Sequence, residues 1–139
     1  MRAIVTGATG LTGQAVCRRL LREGWDVTAF VRSSPRVPPL QALGVRCVEV
    51  DITDGPSVSQ AMEPVDRVFH IAAMFRAEDT DREVFRRVNV DAVDHIATAC
   101  GAVGVGRLIH CSTVGVQGQI DEPPADEEYR VRPNDHYQE

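Results

Sequence analysis

The segment Thr6-Gly7-Ala8-Thr9-Gly10-Leu11-Thr12-Gly13 limits what this chain can fold into more than any other stretch. Its glycines recur every three residues, after a short apolar run from Arg2 to Thr6 and before a helical pattern from Leu11 to Arg22. A side chain at the first glycine of such a turn would block it. One at the second would hold the backbone off a pyrophosphate, and one at the third would push the helix off the sheet. Free backbone N–H groups and the positive end of the helix dipole then face an anion. The bare G-x-x-G-x-x-G spacing is a weak signal; its place between a strand and an amphipathic helix makes it a strong one. No Gly-Lys-Ser/Thr follows, so the triphosphate-binding P-loop does not fit. Gly7, Thr9, Gly10, Leu11, Thr12 and Gly13 are the candidate phosphate cradle.

The rest of the chain alternates strands with helices. Apolar residues at Leu11, Ala15, Val16, Leu20 and Leu21 predict one buried helix face, with Gly24 as its stop. Asp26 to Arg32 reads as a second strand, Ser33 to Pro39 as a loop, Leu40 to Leu43 as a short helix and Val45 to Val50 as a third strand. Asp51 to Gly55 is a turn, and Pro56 to Met62 fits a helix with proline at its first position. Asp66 to Ile71 is a fourth strand. Asp81 to Cys100 is the longest helix, with a stripe at Val84, Phe85, Val88, Ala92, Val93, Ile96, Ala97 and Cys100, ended by Gly101 to Gly106. Arg107 to Cys111 is a fifth strand. Strands that are continuous apolar runs are buried on both faces. The pattern therefore predicts an α/β fold with a doubly wound parallel sheet. Gln117 to Asn134, rich in proline and acids, reads as a surface loop, and a helix capped by Asn134 starts five residues before the last. That interrupted helix predicts an N-terminal portion of something longer, with a single domain over residues 1–139.

Composition narrows the function classes. The formal net charge is -5, and all 15 basic residues are scattered arginines, which argues against a nucleic-acid groove. No apolar run approaches the ~18 residues of a membrane span, and no signal-peptide core precedes Gly7. Cys17, Cys47, Cys100 and Cys111 form no C-x-x-C pair and read as buried, reduced thiols of a cytoplasmic protein. The histidines have no paired ligand spacing, so no metal is expected.

The end of the second strand speaks to the nucleotide. An acid there would bind ribose hydroxyls and favour NAD. The strand instead ends Ala29-Phe30-Val31-Arg32, and Asp26 lies at its other end. Arg32 suits a 2′-phosphate, with Arg36 as a second arm, so NADP is preferred and NAD remains open.

Taken together, the sequence resembles the extended short-chain dehydrogenase/reductase family, the group of NAD-dependent epimerase/dehydratases and dihydroflavonol-reductase-like enzymes. TGATGLTG is similar to its glycine motif, and Asp51-Ile52 to the acid-plus-apolar pair that holds adenine. His70-Ile71-Ala72-Ala73 resembles its H-x-A-A stretch beside the cofactor, and Asn89-Val90 its N-V pair on the long helix. Cys111 leads into Ser112-Thr113-Val114-Gly115-Val116-Gln117-Gly118, which is similar to the family's S-S-x-x-V-Y-G segment, with Gln117 replacing the commoner aromatic residue. The resemblance implies a Rossmann-type sheet, truncated after the fifth strand, in a cofactor-dependent oxidoreductase or epimerase/dehydratase. Ile71, Ala72, Ala73, Asn89 and Cys111 would then join Asp51 and Ile52 at the cofactor, with Thr113 and Tyr137 as the catalytic pair. Tyr129 fails as the tyrosine of a Y-x-x-x-K motif, because position 133 is proline. The lysine paired with Tyr137 would fall at position 141, outside this sequence. The implied partner is a small-molecule substrate, a nucleotide sugar or a small ketone, and the resemblance leaves a homodimer open. The rival reading is a redox-sensing or scaffold protein that binds NAD(P) without catalysis.

Overall fold

The computed structural model describes residues 1–32, 34–75, 81–121 and 123–132. Five strands, β1 (Arg2–Thr6), β2 (Asp26–Val31), β3 (Arg46–Glu49), β4 (Arg67–His70) and β5 (Leu108–His110), form one sheet in the order β3-β2-β1-β4-β5. Every pairing is parallel, for example Thr6 with Phe30 in β2 and with His70 in β4. After β3 the chain returns to the other side of β1. The carboxyl ends of β1 and β4 therefore flank the point where strand order reverses, which is where open α/β sheets place their ligands.

The alternation of side chains along each strand supplies two cores. Ala3 and Val5 of β1 and Val27, Ala29 and Val31 of β2 pack with Cys17 and Leu20 of α1 (Leu11–Arg22) and Leu40 of α2 (Val37–Ala42). Ile4, Phe30 and Val68 point the other way. They meet Val58 of α3 (Gly55–Ala61) and Ile96, Ala99 and Cys100 of α5 (Ala92–Val103). In β4 Arg67 and Phe69 are half-buried, whereas β1 and β2 are buried on both faces as expected. The outer strands β3 and β5 are not: Cys47, Val48, Leu108 and Ile109 are half-buried and His110 is exposed.

Several expected details differ. Leu11 and Ala15 do not belong to the buried face of α1; Leu11 is 91% exposed, and Gly13, Cys17 and Leu20 carry the contact instead. The glycine turn sets the phase of this helix, and Gly13 is the residue pressed against the sheet. The second helix starts at Val37, so Pro38 and Pro39 lie in its first turn, where their missing N–H groups cost nothing. Asp54 caps α3 by accepting from Ser57 N–H, which puts Pro56 at the second helical position rather than the first.

The long helix is not continuous. It runs as α4 (Arg82–Arg86), a π turn (Arg87–Asp91) and α5, and it ends at Val103 with Gly104 left-handed at φ 74°, so Gly101 is internal. Along α5 the buried residues keep the ordinary α-helical spacing, at Ala92, Ile96, Ala99 and Cys100. Ala97 is exposed and Ala99 takes the buried position. Cys17 and Cys100 are buried, but Cys111 is exposed, because it lies just past the end of an outer strand. No helix among the described residues is long and apolar enough to cross a membrane.

Candidate functional site

A cleft of about 750 Å³ opens at the carboxyl ends of β1, β2 and β4. The glycine turn forms its floor. Gly7 has φ +70°, and a Cβ there would lie 2.7 Å from the backbone nitrogen of Ala72. A Cβ on Gly13 would lie 2.2 Å from the Gly7 carbonyl oxygen. These two glycines are demanded by the protein's own packing. Gly10 differs: its φ is an ordinary -85°, and its Cβ would meet only the Gly7 oxygen, at 3.3 Å. What a side chain at Gly10 would chiefly occupy is the cleft.

Gly10 also caps α1, without any side-chain acceptor and with no acidic residue in the first turn. The first N–H groups of a helix have no intrahelical partner. Here they stand at the cleft with the positive helix end behind them, which suits an anion.

A buried polar post holds the opposite wall. The Thr6 hydroxyl accepts from the N–H groups of Ile71 and Ala72, both at 3.2 Å, and lies 2.7 Å from His70 Nδ1. With both acceptor sites used, the hydroxyl hydrogen goes to Nδ1, which must be unprotonated; neutral His70 then carries its proton on Nε2. His70 is fully buried and stacks on His110 with ring centroids 5.3 Å apart. Burial foremost, and His110 second, push its pKa down from 6.5 to about 4. Thr6 thus aims the Ile71-Ala72 backbone along the cleft. It escapes a motif search because it reads as the last residue of an apolar strand.

At the far end, Asp51 accepts from both the N–H and the hydroxyl of Thr53, at 2.9 and 2.8 Å. These bonds, with smaller help from Arg32 and Arg87, hold its carboxyl below the usual carboxylate range. Arg32 and Arg36 line the same end, and neither guanidinium has a hydrogen-bond partner among the described residues.

Of the residues singled out from sequence, Gly7, Thr9, Gly10, Leu11, Thr12, Gly13, Arg32, Asp51, Ile52, Ile71, Ala72 and Ala73 all line this cleft. Asn89 is placed beside it. Its side chain accepts from Met74 N–H at 2.8 Å and donates to Met74 C=O at 3.0 Å, so it holds both backbone polar groups of one residue. The π turn allows this while Val88, the preceding residue, faces the cleft. Cys111 is exposed, and its N–H donates to the His70 carbonyl at 2.9 Å. Thr113 follows β5; its hydroxyl accepts from Gly115 N–H at 3.1 Å and caps a short 3-10 turn (Val114–Gln117). Tyr137 lies outside the described residues. Phe30, Val50, Met74 and Phe75 also line the cleft, and no motif marks them. As apolar residues at strand ends and in a loop, they look in sequence like ordinary core.

A parallel sheet with this strand order and a glycine cradle at its reversal point defines a Rossmann-type dinucleotide-binding domain. The model of the NAD dependent epimerase/dehydratase family matches residues 3–139, and the chain belongs to that family. A 2-alkyl-3-oxoalkanoate reductase of Stenotrophomonas maltophilia is 38% identical over 123 residues, which is 88% of this chain and 36% of the relative. A short-chain dehydrogenase/reductase superfamily protein from Agrobacterium tumefaciens, solved with bound NAD, superposes with a TM-score of 0.86 at 28% identity. That match covers 99% of this chain and 41% of the other. The dTDP-glucose 4,6-dehydratase DesIV of Streptomyces venezuelae, also solved with NAD, gives 0.84 at 28% identity, over 99% of this chain and 47% of the other. The chain thus spans less than half the length of each of these relatives.

Proposed function

We propose that these residues form the dinucleotide-binding part of an NADP-preferring oxidoreductase that acts on a carbonyl/alcohol carbon. The observation that carries the reading is the cleft itself. Twelve residues chosen from sequence line it, and Gly10 is left bare where only a ligand would need the space. A nicotinamide dinucleotide, when bound, supplies hydride chemistry; the chain's own residues hold it and manage the proton. The glycine turn and the first turn of α1 take the pyrophosphate. Asp51 and Ile52 flank the adenine, and Ile71 to Ala73 line the path between the two ends. The similarity to a reductase of 3-oxo acids, at 38% identity, favours reduction of a small ketone over nucleotide-sugar chemistry.

Thr113 and Tyr137 are the proposed catalytic pair. Thr113 uses its oxygen to accept from Gly115 N–H, which leaves the hydroxyl hydrogen to donate to a substrate oxygen. Tyr137 would exchange the proton that accompanies hydride transfer. Lowering a phenol from ~10 towards neutrality takes about 4 kcal/mol of preferential phenolate stabilisation. An ammonium one helical turn on would supply much of it. That position, 141, falls outside this sequence. NADPH oxidation by the 139-residue protein with small 3-oxo acids, abolished by Tyr137→Phe, would show that the tyrosine works without such a partner.

Cofactor choice is tested at Arg32. Wild-type protein should bind NADPH more tightly than NADH, and Arg32→Ala should remove most of the difference, roughly 1–3 kcal/mol for a charge-assisted contact. Superimposable titrations of the two cofactors on wild-type protein would contradict the assignment.

A further inference from the structure

His95 makes a contact that no motif marks. The peptide joining Ile52 and Thr53 at the edge of the cleft is held at both ends. Its N–H donates to Asp51 Oδ1 at 2.9 Å, and its carbonyl lies 3.1 Å from His95 Nδ1. A carbonyl only accepts, so Nδ1 carries a proton and donates it. The hydroxyl of Thr53 donates to the same Asp51 oxygen at 2.8 Å, and Oδ2 has no hydrogen bond among the described residues.

The histidine is itself fixed. Its neighbours on α5, Ala92, Ile96 and Ala99, are buried against the sheet. Its ring packs on the start of α3, where a Cβ at Gly55 would lie 3.1 Å from the ring carbon Cδ2. α5 is thus a rigid post. From it His95 fixes the Ile52–Thr53 peptide, and that peptide fixes the Asp51 carboxylate.

We propose that His95 is a positioning residue for the nucleobase end of the cleft, and that it enforces a preference for a base bearing an exocyclic amino group. The inference rests on the reading of the cleft as a dinucleotide site. An ionised carboxylate only accepts hydrogen bonds, so Oδ2 pairs with an amino group and is opposed by a carbonyl oxygen in its place. Without His95 the Ile52 carbonyl loses its donor, the peptide turns more freely and Thr53 no longer locks Asp51.

NADH and its hypoxanthine analogue, in which a carbonyl replaces the adenine amino group, separate these effects by fluorescence titration of the folded protein. Wild-type protein should prefer NADH by about tenfold, the size of one hydrogen bond to a charged group. His95→Phe keeps a ring beside Gly55 but has no donor, and should bring the two affinities within about twofold. His95→Asn restores an N–H donor and should recover most of the preference. Gly55→Ala retains every polar group but crowds the ring. It should also lower the ratio, which keeps the test decisive if His95→Phe does not fold. A ratio unchanged from wild type in the folded variants overturns the role of His95. Wild-type protein that binds neither dinucleotide overturns the reading of the cleft and the inference with it.

Discussion

Gly10→Val should cost dinucleotide affinity on the order of a hundredfold or more, about 3 kcal/mol, while leaving the protein folded. The three glycines of the turn do different work. At Gly7 an added Cβ would collide with the Ala72 backbone, and φ +70° would strain any L side chain. At Gly13 it would stand 2.2 Å from the Gly7 oxygen, so helix and turn must separate. Substitutions there damage the fold and the site together. Gly10 has an unstrained φ of -85°, and its Cβ would have a single neighbour at 3.3 Å. Exchanging glycine for valine at a helix N-cap costs on the order of 1 kcal/mol at most. Most of the effect therefore falls on the ligand, because a branched side chain fills the space a pyrophosphate needs against the helix N-terminus. NADH and NADPH titration beside thermal unfolding separates the two. A folded Gly10→Val protein with wild-type affinity would mean that the turn is not the phosphate site.

The division between what sequence discloses and what it hides follows the range of the interactions. The glycine turn, the strand–helix alternation and the cleft residues 7, 9–13, 51–52 and 71–73 are legible, because each is set by local backbone demands or by contiguous motifs. The hidden features depend on residues far apart in the chain. The Thr6 hydroxyl meets His70 and the Ile71 and Ala72 N–H groups across 64 to 66 positions. His95 meets Ile52 across 43 positions. Pairing of β1 with β4 makes the first set neighbours and packing of α5 on α3 the second, and no local pattern announces either. The buried face of the long helix is a smaller case: counted from Ala92 and Ile96, the α-helical period selects Ala99 rather than Ala97, while Asn89, inside the π turn, holds Met74, a partner 15 residues away. Exposed Leu11 shows the reverse case, in which an apolar residue belongs to the cleft rather than to the core.

The Thr6–His70 pair carries a second large expectation, a loss of stability between about pH 6.5 and about pH 4 that belongs to one histidine. In the folded protein His70 is fully buried, and burial, with His110 adding to it, pushes its pKa down from 6.5 to about 4. The unfolded chain binds a proton at this residue below about 6.5, whereas the folded protein resists doing so until about 4. Across that window the unfolded state holds more protons, so unfolding free energy rises with pH. The contribution is fully present above the unfolded pKa and is lost as pH falls through the folded one. Two to three units correspond to roughly 3 kcal/mol. The geometry gives the reason. Protonated Nδ1 could no longer accept from Thr6, so the Thr6 hydroxyl would have to turn and release the Ile71 or Ala72 N–H. The other lowered groups act in the same direction but elsewhere: Asp51 and Asp66 are held below 3.8, so their contributions are lost only in stronger acid. Urea unfolding at intervals from pH 7.5 to pH 4.5 measures the slope. His70→Asn offers an acceptor to Thr6 without a titrating ring. It should be less stable at pH 7.5 and much flatter towards pH 4.5, and a wild-type slope in that variant would place the acid sensitivity elsewhere.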